Sequence, residues 1–154
     1  MVGHKILLPY NFTAYDQKAL DFVIRNFSHL KNVEITLLNI YTPAPKVDIN
    51  GFPIVGDLKE NITYLSRKIK QKEDNLRAAM QNLLQNGFSE HQVKYIFKPR
   101  KKDIATEIIL LALDHQFNLI VINHKPGKLS HFFTGNVYSK IVDKLKNITV
   151  CVVT

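Results

Sequence analysis

Cysteine is nearly missing from this chain: Cys151 stands alone, inside an apolar stretch. No internal disulfide can form, and a single reduced thiol fits a reducing compartment. Long apolar runs are missing too, since none approaches the roughly 20 residues that cross a bilayer. The opening Met1-Val2-Gly3-His4-Lys5-Ile6 enters a strand-like segment with no signal-peptide pattern, so a cytoplasmic chain without a membrane partner is expected. The familiar chemical motifs are also lacking. There is no G-x-G-x-x-G after a strand, no G-x-S-x-G elbow, and no helix-turn-helix, zinc-finger or RNA-recognition signature. Gly127-Lys128-Leu129-Ser130 looks like the end of a P-loop, but that motif needs Gly at 122 and Ser or Thr at 129, where Ile122 and Leu129 stand. His124 and His131 have no cysteine or carboxylate at metal-type spacing, so no metal ligands are expected. Asp16 and Glu107 read as helix-start residues rather than an acid/base pair. No catalytic constellation is recognisable.

What is present in surplus is positive charge, 21 Lys and Arg against 13 Asp and Glu, a net +8. Such a surplus invites a polyanion partner. The cations, however, are mostly lysines spread along helical stretches such as Arg67-Lys68-Ile69-Lys70-Gln71-Lys72, and only Lys98-Pro99-Arg100-Lys101-Lys102 is compact. Few aromatics interleave with them. A solvated basic surface with no specific nucleic-acid partner is the expectation. At 154 residues, 45% hydrophobic and 22% charged, the chain is the size of one globular domain with a substantial core.

Read in order, the segments alternate. His4–Pro9 is a first strand, and Thr13 caps a helix with Asp16 three residues on and Leu20, Val23, Phe27 and Leu30 as its apolar stripe. Val33–Tyr41 is a second strand. Residues 42–57, rich in proline and glycine, read as a long flexible loop. Asp57 starts a long helix to about Asn86, striped by Leu58, Ile62, Leu65, Ile69, Leu76, Met80 and Leu83, with Gly87 at its C-terminal turn. Lys72 breaks that stripe, so one face should pack on a sheet with one end exposed rather than form a coiled coil. Gln92–Lys98 is a third strand, and Asp103 caps a helix whose Ile104, Ile108, Leu111 and Ala112 face inward. Leu119-Ile120-Val121-Ile122, apolar without alternation, reads as a strand buried on both faces. It breaks at Asn123 into a polar loop, Gly135-Asn136 opens a helix at Val137, and Ile148–Val153 closes the chain as a fifth strand. This alternation gives an α/β fold with a mainly parallel sheet. A strand, a glycine-bearing loop and a helix start are parts from which α/β proteins build anion sites. The apolar last strand should lie at a sheet edge, where pairing with a second copy would cover it.

Three places resemble the universal stress protein family, over essentially the whole chain. They are Ile6-Leu7-Leu8-Pro9-Tyr10-Asn11-Phe12-Thr13 with Lys18-Ala19-Leu20; Asp103-Ile104-Ala105-Thr106-Glu107-Ile108 leading into Phe117–Ile122; and Gly135-Asn136-Val137 leading to Val150-Cys151-Val152-Val153. The resemblance implies a single doubly wound domain, a five-stranded sheet of order 3-2-1-4-5 with about four helices, and commonly a homodimer. Here that dimer would use Val150, Cys151, Val152 and Val153. One branch of the family binds adenine nucleotide and another does not; membership of the first implies ATP, ADP or AMP, with or without Mg, bound at the carboxyl ends of strands one, two and four. The implied contacts are Pro9, Tyr10, Asn11, Ile40, Ile122, Asn123, Lys125, Gly127, Gly135, Asn136 and Val137. The chain departs from the nucleotide-binding pattern G-x2-G-x9-G-[S/T]. Counting back from Gly135, the earlier glycine positions hold Lys125 and Ile122, Asn136 replaces the hydroxyl residue, and Asn11 takes the place of an acid. Gly127 stands in for a glycine at shorter spacing, and Lys125 adds a cation. A stress-response module that binds nucleotide weakly is expected; the alternative is a dimeric interaction protein of the same fold that binds none.

Overall fold

The computed structural model describes residues 3–45, 56–123 and 135–154. Among these residues nine elements alternate: β1 (His4–Pro9), α1 (Ala14–Phe27), β2 (Val33–Tyr41), α2 (Gly56–Gln85), β3 (Val93–Pro99), α3 (Ile104–Asp114), β4 (Leu119–Asn123), α4 (Gly135–Lys144) and β5 (Thr149–Val153). The five strands form one parallel sheet of order β3-β2-β1-β4-β5, as expected. Most of the proposed 42–57 loop lies outside the described residues, as do Lys125, Gly127 and the two histidines of the β4–α4 segment.

Side-chain parity along the strands decides the layers, because successive residues point to opposite faces. Ile6 and Leu8 of β1, Val33, Ile35 and Leu37 of β2, and Leu119 and Val121 of β4 face one way. They bury Ala19, Leu20 and Val23 of α1 and Leu76, Ala79 and Leu83 of α2. The intervening Leu7, Leu38, Ile40, Ile120 and Ile122 face the other way, against Ala105, Ile108 and Ala112 of α3 and Ile141 of α4. All five residues of β4 are buried, as its unalternating apolar run requires of a central strand.

The helix starts are built as the sequence predicts. Thr13 caps α1 in a full capping box with Asp16, and Asp103 caps α3 by accepting from the Thr106 N–H. Gly87 has φ +109 just past α2, where a side chain would strain the turn. The α2 helix is the outlier in length. Its buried side chains, Leu76, Ala79 and Leu83, fall in its last third, and Tyr64 and Leu65 in its first half are exposed.

Candidate functional site

The middle of the sheet opens toward its carboxyl edge. β1 pairs with β4 only at Ile6↔Leu119 and Leu7↔Ile120. Beyond that, β1 follows β2 as far as Pro9↔Leu38, while β4 follows β5 as far as Asn123↔Val153. At the amino edge the same two strands are clamped by Asn118. Its Oδ1 accepts from the Lys5 N–H at 2.8 Å, its own N–H donates to the Lys5 carbonyl at 3.0 Å, and its Nδ2 donates to the Gly3 carbonyl. The seam is tied at one end and parted at the other. The winding reverses there, β1 leading to α1 on one face and β4 toward α4 on the other, and such switch points are where open α/β sheets hold ligands.

Pro9 ends β1, with Tyr10 and Asn11 after it. The last main-chain bond from β1 to β2 runs from the Tyr10 N–H to the Leu38 carbonyl at 2.8 Å, and the Tyr10 carbonyl accepts from Asn39 Nδ2 at 2.9 Å. Tyr10 therefore has its main chain engaged within the fold. Ile40 lies two residues beyond Leu38, past the last pair with β1 but still paired with Lys98 of β3. That step leaves the β1-facing side of Ile40 at the crevice. Burial pushes the Tyr10 phenol above its ordinary range, and Asp16 and Asp21 add to the rise, so it stays a hydrogen-bond donor at neutral pH.

Ile122 and Asn123 end β4. Ile122 is buried with the α3/α4 layer, and the Asn123 side chain turns to the α1 side. Its Nδ2 donates to Asp16 Oδ1 at 2.5 Å, with both residues buried. Asp16 Oδ2 accepts from the Thr13 N–H at 2.9 Å and the Thr13 hydroxyl at 2.6 Å. The Asn123 side chain is thus committed to pinning the first turn of α1 across the open seam. Asp16 has the capping role that its spacing from Thr13 predicts, together with a partner 107 residues away that no local pattern reveals. The available signal was the amide interrupting an otherwise apolar strand, since a buried polar group needs a partner. Asn39 carries the same signal, and its Oδ1 is buried with no partner among the described residues.

Gly135, Asn136 and Val137 form the first turn of α4, where a helix has unpaired N–H groups. Lys140, a turn on, donates to both Asp103 oxygens at 3.2 Å and to the Thr106 hydroxyl at 2.8 Å. The start of α4 is thereby fixed beside the start of α3. The Thr106 hydroxyl and N–H, then Lys140, hold the Asp103 carboxyl well below the usual carboxylate range. Next to it Glu107 is buried, taking Lys98 Nζ at 2.7 Å and the N–H groups of Lys101 and Lys102 at 2.9 and 3.0 Å. Burial alone would raise the Glu107 carboxyl, but these donors overcome it and hold it at about 2. The basic cluster is therefore partly neutralised from within.

Among the described residues no group of three or more His, Cys, Asp or Glu side chains is placed to hold a metal ion. No helix among them is long and apolar enough to cross a membrane. At the β5 edge, Val150 and Val152 lean on the α3/α4 layer, and Cys151 and Val153 on the α1/α2 layer. All four are half-buried, and burial raises the Cys151 thiol.

The universal stress protein family matches residues 3–153. Among solved structures, the chain is similar to the universal stress protein UspA from Lactobacillus plantarum, at 18% identity and TM-score 0.70, covering 100% of this chain and 99% of that one. It is similar to the universal stress protein from Archaeoglobus fulgidus in complex with dAMP, at 15% identity and TM-score 0.66, covering 100% of each. A universal stress protein in complex with cAMP matches at 14% identity and TM-score 0.56, covering 98% and 96%. No curated protein matches.

Proposed function

Because the chain belongs to the universal stress protein family, we propose that it is a stress-response module that takes an adenine nucleotide, weakly, at the carboxyl ends of β1, β2 and β4. The observation that carries this reading is the parted seam. β1 and β4 separate after two residue pairs, and Ile40 steps past the last β1 pair. A planar base fits beside the open main chain of Ile40. Asn11 takes the ribose with an amide in place of an acid, which loses charge but keeps an acceptor. The N–H groups of Gly135, Asn136 and Val137, joined by Lys125 and Gly127, take the phosphates. The relatives that hold dAMP and cAMP support adenine as the base. Mg, where it enters, comes with the phosphates.

Calorimetric titration with ATP, ADP and AMP tests the proposal. Micromolar binding, about −8 kcal/mol, is expected at best, and it should weaken in Lys125→Ala and Gly135→Val. No heat and no thermal shift at millimolar nucleotide would defeat it. Binding left intact by both substitutions would put the ligand elsewhere.

A second reading, an interaction protein that works as a homodimer without nucleotide, is favoured by β5. It is an edge strand, and its apolar residues are only half-buried. Pairing with a second copy through Val150–Val153 would double the mass seen by light scattering at micromolar concentration. A strict monomer rules that dimer out.

A further inference from the structure

A cavity of about 320 Å³ lies where the β1–α1 loop faces the last third of α2. Tyr10, Phe12 and Gln17 wall it on one side, Asn75 and Asn82 on the other. Ala78 and Ala79, between the two asparagines, keep the α2 wall low. The volume is at the small end of the range for ligand sites. Tyr10 and Phe12 pack on the α1/α2 layer, whereas α4 packs on the opposite one, so this space is separate from the start of α4.

Its walls are fixed. The Tyr10 main chain donates to Leu38 and accepts from Asn39. Phe12 is held at φ 63, in the left-handed region that a bulky side chain enters only under strain. That conformation goes with a ring set edge-on to Tyr10, 5.4 Å between centroids. Strained residues of this kind gather at binding sites.

The polar groups left over define what the cavity can take. Gln17 Nε2 donates to Asp21 Oδ1 at 3.0 Å. A carboxylate only accepts, so the free end of the Gln17 amide is its oxygen. Asn86 Nδ2 donates to the Asn82 carbonyl and to Asn82 Oδ1, both at 2.7 Å, which leaves Asn82 Nδ2 free to donate. The Asn75 amide has no partner among the described residues. Burial, with Asp16 and Asp21 adding to it, keeps the Tyr10 hydroxyl protonated. None of the side chains lining the cavity is charged. Lys18, Asp21 and Arg25 belong instead to a wider trough of about 710 Å³ that shares Gln17 and Asn82.

The walls therefore offer an acceptor at Gln17, donors at Asn82 and Tyr10, and at Asn75 an amide that can turn either way. A carboxamide or lactam answers them, since it presents N–H and C=O side by side in one plane, and Asn and Gln pair with such edges on nucleic-acid bases. An anion would be desolvated there with no cation to meet it, and a cation could not use the donors.

We propose that this cavity is a second ligand site, specific for a small, uncharged, planar molecule with a carboxamide or lactam edge, the class that includes free nucleobases and aromatic carboxamides. It stands independently of the nucleotide reading, although Tyr10 borders both sites.

An NMR titration of the full chain tests this, following the side-chain amide signals of Gln17, Asn75 and Asn82. The probes are benzamide, benzoate and benzamidine, which share one shape and are neutral, anionic and cationic. Benzamide should shift those signals with an affinity of about a millimolar, as so few atoms allow. Benzoate and benzamidine should bind at least about tenfold more weakly. Ala78→Leu, at an exposed helix position, should fill the cavity and abolish the shifts, and Asn82→Leu should weaken benzamide about tenfold. Thermal unfolding verifies that each variant is folded; where one is not, Asn75→Leu, also exposed, takes its place. No shift at tens of millimolar benzamide would overturn the inference. Equal binding of the three probes would overturn it too, since the site would not then read an uncharged amide. So would benzamide binding left intact by Ala78→Leu, which would put the ligand outside this cavity.

Discussion

Asp16 and Glu107 are two buried carboxylates near helix starts at the same end of the sheet, held by different means. Glu107 has a cation, Lys98, and two main-chain N–H groups from exposed residues. Asp16 has the Thr13 N–H, the Thr13 hydroxyl and the amide of Asn123, all uncharged. Counting charges would make Glu107 the stronger anchor. Following the partners after a deletion reverses that order. Lys98 is 32% exposed, so its ammonium can turn to water. Asn123 is 7% exposed, so its amide cannot. The cost of losing a buried acceptor is set by where its donors can go.

The largest effect should therefore come from Asp16→Ala. It breaks the capping box and strands the Asn123 amide, for about 2–4 kcal/mol of stability by urea denaturation. If Asp16→Ala costs less than Glu107→Ala, the comparison fails. Pairing it with Asn123→Ala sharpens the point. The double variant should be less destabilised than the sum of the singles by about 1–2 kcal/mol, because each single leaves the other group orphaned. Strict additivity would mean the two residues do not act together.

Glu107→Ala should cost less, about 1–2 kcal/mol at neutral pH. Its acid behaviour distinguishes it further. The Glu107 carboxyl is lowered from 4.5 to about 2 in the folded chain, so its stabilisation is complete above the unfolded value and is lost as pH falls from 4.5 toward 2. Denaturation midpoints between those pH values should fall less steeply in Glu107→Gln than in the wild type. Equal slopes would mean Glu107 is not held as described. Asp103→Asn should give the smallest change, since the Asp103–Lys140 pair lies in water and asparagine can still cap α3.

Much of this was legible in the chain. The unalternating Leu119–Ile122 run announced a central strand, Thr13 with Asp16 a helix start, and Lys72 an exposed end to α2. The strand order came from family resemblance, because spacing alone does not say which neighbours a parallel strand takes. Element ends moved by a residue or two: α4 begins at Gly135 rather than Val137, and Asn123 is the last residue of β4 rather than the first of its loop. The pairings that shape the crevice could not be read. Asn123 with Asp16, Asn39 with Tyr10 and Asn118 with Lys5 join residues far apart in the chain. A lone amide in a strand says that a partner exists without saying which. Capping is local, so Asp16 was found in one of its two roles.

The clamp at Asn118 has a consequence in terms of lifetime. Asn118 fastens one edge of the middle seam, the Asn123–Asp16 bond spans the parted edge, and a ligand seated there would add a further tie. A ligand present at a hundred times its Kd, bound only by the folded form, adds about 2.7 kcal/mol to the unfolding free energy. Where proteolysis proceeds through global unfolding, that is roughly a hundredfold lower population open to cleavage. Even a weakly held ligand would then set how long the chain survives, so that its concentration is read out as abundance of the protein.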